Sequence, residues 1–112
     1  MPLTNAATIV APIVGQVLAE AVFPWPRTIR VILVISTTYP LDVIYETWDG
    51  DGRVMQDMVL PVNAPLWSSP TMGPFNIPAN GRFRVLCRST PEVTPAPLEV
   101  QANIFWRDWA ER

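Results

Sequence analysis

The residues of this chain that could carry out catalysis are carboxylates, because the sequence contains no His and no Lys. Without His there is no Ser-His-Asp or Cys-His nucleophile and no ordinary proton shuttle at neutral pH. Asp42 and Glu46 lie roughly 13 Å apart on one predicted strand, beyond the roughly 5–9.5 Å that separates the two acids of a glycosidase. Glu46 and Asp57 are closer, diagonally across a predicted hairpin, and support a small hydrolase as a third hypothesis. The sequence predicts that the chain is not an enzyme.

A metal site is not expected from the sequence either. The run Asp-Gly-Asp-Gly that begins at Asp49 resembles the start of a calcium loop, but its fifth and twelfth positions are Arg53 and Leu60. The loop requires an oxygen ligand and a Glu at those positions, so the run is predicted to be a hairpin turn. Cys87 is the only cysteine, which rules out an intrachain disulfide and a cysteine zinc site. We expect Cys87 to be a small buried side chain and the protein to have no cofactor.

Trp and Arg are the residues of this chain best suited to binding. A net charge of −2 and a pI near 4.9 argue against a nucleic-acid partner, whereas Trp and Arg are enriched at protein interfaces. An arginine strip on one predicted strand is expected to pair with Glu99 and Gln101 or with another subunit. The predicted interface combines apolar, aromatic and arginine side chains: Ile13, Val17, Phe23, Trp25, Trp48, Arg53, Trp67, Phe75, Arg82, Arg84, Arg88 and Trp109.

The tryptophans also support a second function. Solvent-facing indole rings can stack on sugars, so a carbohydrate-binding β-sandwich that uses Trp48 or Trp109 is the alternative hypothesis.

The elements that must position these residues are predicted to be strands. Ile29 to Ile35 is a β-branched run with two apolar faces, typical of a central strand. Leu41–Trp48 and Arg53–Leu60 flank the turn and predict a hairpin in which paired residue numbers sum to 101, with Trp48 opposite Arg53. Strands are also predicted from Arg82 to Ser89 and from Leu98 to about Trp109. Short strands without a crossover helix indicate an antiparallel β-sandwich.

The N-terminal segment is the most apolar part of the chain. From residue 1 to 26 its only charged side chain is Glu20, and its pattern fits either a strand or a helix, with Gly15 and β-branched residues favouring a strand. We expect an N-terminal arm or first strand over 1–26 and a β-sandwich domain over 27–112. An ordered connection with one short strand is predicted over 61–81. A sandwich of this size is expected to leave both apolar segments partly uncovered, and therefore to associate. Neither a signal peptide nor a membrane span is expected.

In layout the chain resembles the small cement, or decoration, proteins of tailed-bacteriophage heads, some of which are jelly rolls. The resemblance is carried by the apolar stretch Thr8 to Phe23, the strand–turn–strand Leu41 to Leu60, and Ile77-Pro78-Ala79-Asn80-Gly81 leading into Arg82 to Ser89. It implies a jelly-roll-like sandwich and a homo-oligomer located in the virion, on the capsid surface. Its partner would be a capsid or other virion protein, which it would stabilise without catalysis.

Overall fold

The computed structural model describes residues 8–90 and 97–109, and these form strands and turns with no helix among them. The strands are β1 (Ile9–Val10), β2 (Val17–Phe23), β3 (Arg27–Thr37), β4 (Leu41–Trp48), β5 (Val54–Val62), β6 (Leu66–Ser68), β7 (Met72–Ile77), β8 (Gly81–Ser89) and β9 (Glu99–Asp108). The described residues accordingly contain no helix that could span a membrane.

The strands form two antiparallel sheets packed face to face, which confirms the predicted all-β sandwich. The first sheet has the order β1-β9-β3-β6, and β7 also pairs with β3. The second sheet has the order β2-β8-β4-β5. The predicted central strand is confirmed, because β3 pairs with β9 on one side and with β6 and β7 on the other.

The core lies between the two sheets and is built from alternate positions of their strands. Ile29, Leu33 and Ile35 of β3 are fully buried, as are Phe83 and Val85 of β8. The residues between them on each strand point outwards, as the pleat of a strand requires. One face each of β3, β8 and β9 is therefore buried against the opposite sheet.

Residues 17–23 form an edge strand, β2, which confirms the strand assignment over the helix for this part of the segment. Its Leu18, Ala21 and Phe23 are buried in the core. The sandwich thus buries part of this apolar stretch, whereas six of its large side chains stay exposed, so the segment is partly uncovered as expected: Val10, Ile13, Val14, Val17, Val22 and Trp25. The first seven residues lie outside the described part of the chain.

The hairpin of β4 and β5 exists, but its predicted register was wrong. Paired residue numbers sum to 103, so that Thr47 lies opposite Gln56 and Tyr45 opposite Met58. The loop is longer than a two-residue turn, because the amide of Asp49 donates to the carbonyl of Arg53 across it. From Thr47 to Leu41 this shift of two residues keeps the side chains on their predicted faces, since side chains alternate with a period of two. A further register shift between Thr47 and Trp48 places Val54 opposite Trp48.

The connection over 61–81 is more regular than predicted. β5 continues to Val62, and two short strands, β6 and β7, follow where one was expected. Both pair with β3, which places Phe75 and Ile77 of β7 in the core. The residues 91–96, which follow β8 and include Pro91 and Pro95, lie outside the described residues.

Candidate interaction surfaces

A row of charged side chains crosses the outer face of the second sheet. Arg84 of β8 lies between Glu20 of β2 on one side and Glu46 of β4 on the other. Glu46 in turn lies opposite Asp57 of β5. Nε of Arg84 donates to Oε2 of Glu20, and the Arg84 guanidinium lies 4.9 Å from the centre of the Trp48 ring. The indole Nε1 of Trp48 in turn donates to Oε1 of Glu46. Arg84 and Trp48 are therefore engaged within the molecule.

These contacts correct two predicted pairings. Arg84 pairs with Glu20 rather than Glu99, because Glu99 belongs to β9 in the other sheet. The arginine that covers Trp48 is Arg84, and Trp48 lies opposite Val54 rather than Arg53, because the loop is longer than predicted.

The other predicted arginines are exposed to solvent. Arg82 and Arg88 lie on the outer face of β8 with Arg84 between them. Arg53 lies at the tip of the hairpin, where its Nε is 2.9 Å from Oδ2 of Asp49. The backbone amide of Arg53 also donates to Asp49, and this hydrogen bond lowers the pKa of the Asp49 carboxyl. The tip is thus a hydrogen-bonded turn.

The turn between β1 and β2 exposes a group of aliphatic side chains, which we call the N-terminal patch: Val10, Ile13, Val14 and Val17. Ile13 is 71 % exposed and Val14 is 61 % exposed. The backbone beneath them is fixed, because the amide of Gly15 donates to the carbonyl of Cys87 and the amide of Cys87 donates to the carbonyl of Gln16. The turn therefore presents apolar side chains on an ordered backbone.

A second apolar group lies on β5, which forms the edge of the second sheet opposite to β2. We call it the β5 patch, and its residues Val54, Met55, Met58 and Val59 are each 45–50 % exposed. None of the four was predicted as an interface residue, because the edge position of β5 depends on which strands pair. Pro61 was the available signal, since Pro within a sheet is confined to edge strands and bulges.

The aromatic members of the predicted interface fall into two groups. Phe23 and Phe75 are 1 % and 5 % exposed, so predicting them as interface residues was wrong. The ring of Phe23 packs edge-on against Trp106, and Phe75 packs against Tyr45 and Phe83. Trp67 is half-buried against the core.

Trp25 and Trp109, by contrast, are 69 % and 49 % exposed. The guanidinium of Arg30 lies 5.1 Å from the centre of the Trp109 ring.

The carboxylates considered for catalysis are brought together more directly than predicted. Glu46 and Asp57 lie opposite one another rather than diagonally. Glu46 is hydrogen-bonded to Trp48, and Asp57 is exposed on the edge strand. The described residues contain no group of three or more His, Cys, Asp or Glu side chains placed to hold a metal ion. Cys87 is buried as predicted, and burial raises the pKa of its thiol.

Comparison of the chain with protein-family models, with curated proteins and with solved structures found no match.

Proposed function

We propose that this chain is a non-enzymatic structural protein of a virion, which decorates or cements a capsid shell through apolar and arginine-mediated contacts with neighbouring proteins. The observation that carries the proposal is the position of its two apolar patches. The N-terminal patch adjoins β2 and the β5 patch lies on β5, and these are the two opposite edge strands of the second sheet.

Two separated patches suit a protein that bridges neighbours. A subunit with a single apolar surface can pair once, whereas one with patches at both edges can contact two other proteins at the same time. Repeated contacts of fixed geometry on a shell gain avidity, so each contact can be modest. The N-terminal patch also has an ordered backbone, which lowers the conformational entropy lost on binding.

The order of strand pairing supports a jelly-roll-like topology for this sandwich. β4 pairs with β5, β3 with β6 and β7, β2 with β8, and β1 with β9. These nested pairs are those of one long antiparallel ribbon. The further pairs β3–β9 and β4–β8 arise when that ribbon is rolled up, as in double-sheet jelly rolls.

The test begins with particles purified from the source of the chain. Quantitative mass spectrometry is expected to find the chain in a fixed copy number relative to the main shell protein. Absence of the chain from those particles would overturn the proposal.

The contact itself is tested by rebinding purified chain to particles assembled without it. Ile13→Asp places a charge in the N-terminal patch and is expected to weaken rebinding at least about tenfold. Leu66→Asp is the matched control, because Leu66 is similarly exposed but lies on β6 of the other sheet. Equal rebinding of the two variants would contradict the role assigned to the N-terminal patch.

A carbohydrate-binding module is the second candidate, and the half-exposed ring of Trp109 favours it. The support is weaker for Trp48, because its ring is less exposed and its Nε1 is already hydrogen-bonded to Glu46. A guanidinium lies over one face of each ring, so a sugar would have to stack on the other face. Quenching of tryptophan fluorescence by an oligosaccharide, abolished in Trp109→Ala, would support this function. A blank glycan array would count against it.

A further inference from the structure

β5 is an edge strand with one side of its backbone free of strand partners among the described residues. It spans nine residues, Val54–Val62, and β4 is its one partner within residues 8–90 and 97–109. The other edge strands are shorter: β1 has two residues, β6 three, β7 six and β2 seven. A long edge presents unpaired N–H and C=O groups that can bind a further strand.

The side chains of β5 do little to prevent such pairing. Natural edge strands are commonly protected by Lys, inward-pointing charges, Pro or bulges. β5 has one charged residue, Asp57, and its Pro61 and its register shift lie towards its two ends, which leaves the middle of the strand unprotected. Val54 and Val59 lie on the outer face, opposite Trp48 and Ile44, whereas Met58 lies on the inner face opposite Tyr45. These three residues and Met55 are each about half exposed. An added strand would cover apolar surface on both faces.

We propose that β5 pairs antiparallel with β5 of a second copy of this chain about a two-fold axis at Met58, joining two four-stranded sheets into one of eight strands. The inference rests on the proposed function only in treating the β5 patch as a protein contact, and it names the occupant of that patch. A sheet of eight strands lies within the range found in globular proteins.

The register follows from symmetry and charge. A two-fold axis perpendicular to the sheet pairs residues that share a face, so the paired numbers must have an even sum. An axis at Asp57 would place two like charges directly opposite, which is destabilising. An axis at Met58, the middle of β5, pairs all nine residues and sets Asp57 opposite Val59 of the second copy.

The backbone supports the same arrangement. Pro61 has no N–H, and a proline is accommodated in an edge strand where its nitrogen faces away from the neighbouring strand; in the dimer it would donate no hydrogen bond to Met55 opposite it, so the hydrogen bonds are concentrated at the middle of β5. Because backbone direction alternates along a strand, Asp57 and Val59 also direct their N–H and C=O groups to the free edge. These two residues therefore form the central hydrogen-bonded pairs, and Met58 lies opposite its own symmetry mate in a non-hydrogen-bonded pair.

The size of the contact predicts a weak dimer. Nine residues from each copy compare with about 20–30 a side in a standard stable interface. We therefore expect association that depends on concentration in free solution and is reinforced when copies are held side by side on a shell.

Disulfide cross-linking tests the register. In the proposed dimer the two Cα atoms of residue 58 are about 4.5 Å apart, within the range of about 4.4–6.8 Å that a disulfide spans. Met58→Cys is expected to form a covalent dimer under mild oxidation. Val54→Cys is the control, since Val54 on the same strand is about as exposed as Met58 but would lie about 26 Å from its symmetry mate. Native Cys87 is buried and contributes little background. Equal cross-linking of the two variants would overturn the register.

A backbone substitution tests the pairing itself. Val59→Pro removes an N–H from the free edge without removing a bond to β4, and Val59→Thr keeps that N–H. Sedimentation velocity up to about 1 mM protein is expected to show a Kd at least about tenfold weaker for the Pro variant than for the Thr variant. Circular dichroism checks that both variants are folded.

A native chain that stays monomeric over this range, or a Pro variant that dimerises as well as the Thr variant, would overturn the inference. Neither result bears on whether the chain is present in particles, so failure of the inference is distinguishable from failure of the proposed function.

Discussion

Replacing Phe75 by Ala separates a core residue from an interface residue, two roles that the sequence alone does not distinguish. The Phe75 ring centre lies 5.7 Å from that of Tyr45 and 5.5 Å from that of Phe83, and the side chain is buried. Truncation of a buried Phe costs about 3–5 kcal/mol. Loss of two aromatic pairs accounts for about 1–3 kcal/mol of that cost. The variant should lose a large share of a total stability of about 5–15 kcal/mol.

Urea denaturation followed by circular dichroism measures this loss. Low micromolar protein is used so that association does not add to the apparent stability. With an m-value of about 1–3 kcal/mol per molar urea, the midpoint should fall by at least about 1 M. Trp25→Ala is the control, because Trp25 is an exposed aromatic residue and its loss should change stability by no more than about 0.5 kcal/mol. An unchanged midpoint for Phe75→Ala, accompanied by weaker self-association, would refute the core assignment.

Three further predictions concern single residues. The thiol of Cys87, whose pKa is raised by burial, should react with a disulfide reagent no faster than the chain unfolds; rapid labelling of the folded protein would contradict its burial. Gly81→Ala should be strongly destabilising, because the added Cβ would lie 2.8 Å from the backbone oxygen of Pro78. A melting temperature within about 2 °C of the native value would contradict this prediction. The pKa of Asp49 is lowered below 3.8, chiefly by the amide of Arg53, so its contribution to stability is present above pH 3.8 and is lost as the pH falls through the lower folded pKa. Asp49→Asn should flatten that part of the stability–pH curve measured in urea, and an unaltered acid limb would argue against the turn contact.

The strands that are predictable from the sequence are those whose pattern is set by their own burial. β3, β8 and β9 alternate or run apolar over their full length because their inner faces meet the opposite sheet. The register of the β4–β5 hairpin was not predictable from the same pattern. A slip of two residues preserves both faces, so the hydrophobic pattern fits either register. The turn determines the register, because the amides of Asp51 and Arg53 both donate to the Asp49 carboxylate.

The candidate interface was only partly predictable, because exposure depends on which strands become edges. Phe23 and Phe75 lie in the two apolar segments that were expected to stay partly uncovered, yet β2 and β7 join the sheets and carry both rings inwards. Conversely, the aliphatic and Met residues of β5 have the composition of a half-buried strand. They are exposed because β4 is the only neighbour of β5 among the described strands, a fact of tertiary pairing that periodicity does not encode.

The two apolar patches offer different chemistry to a partner, and this difference assigns them different roles within the proposed function. The backbone of Gly15 and Gln16 under the N-terminal patch is already bonded to Cys87 on β8, so this turn offers a partner mainly the side chains of Ile13 and Val14. Side-chain contact of this kind suits docking against an existing apolar surface, such as that of a shell protein. β5 offers free backbone donors and acceptors together with its side chains, and these require an extended strand as partner. A chain with one edge of each kind can be attached to a shell by the N-terminal patch and linked to its neighbour by β5. Ile13→Asp should therefore reduce rebinding to particles while leaving the Met58→Cys cross-link intact in free solution.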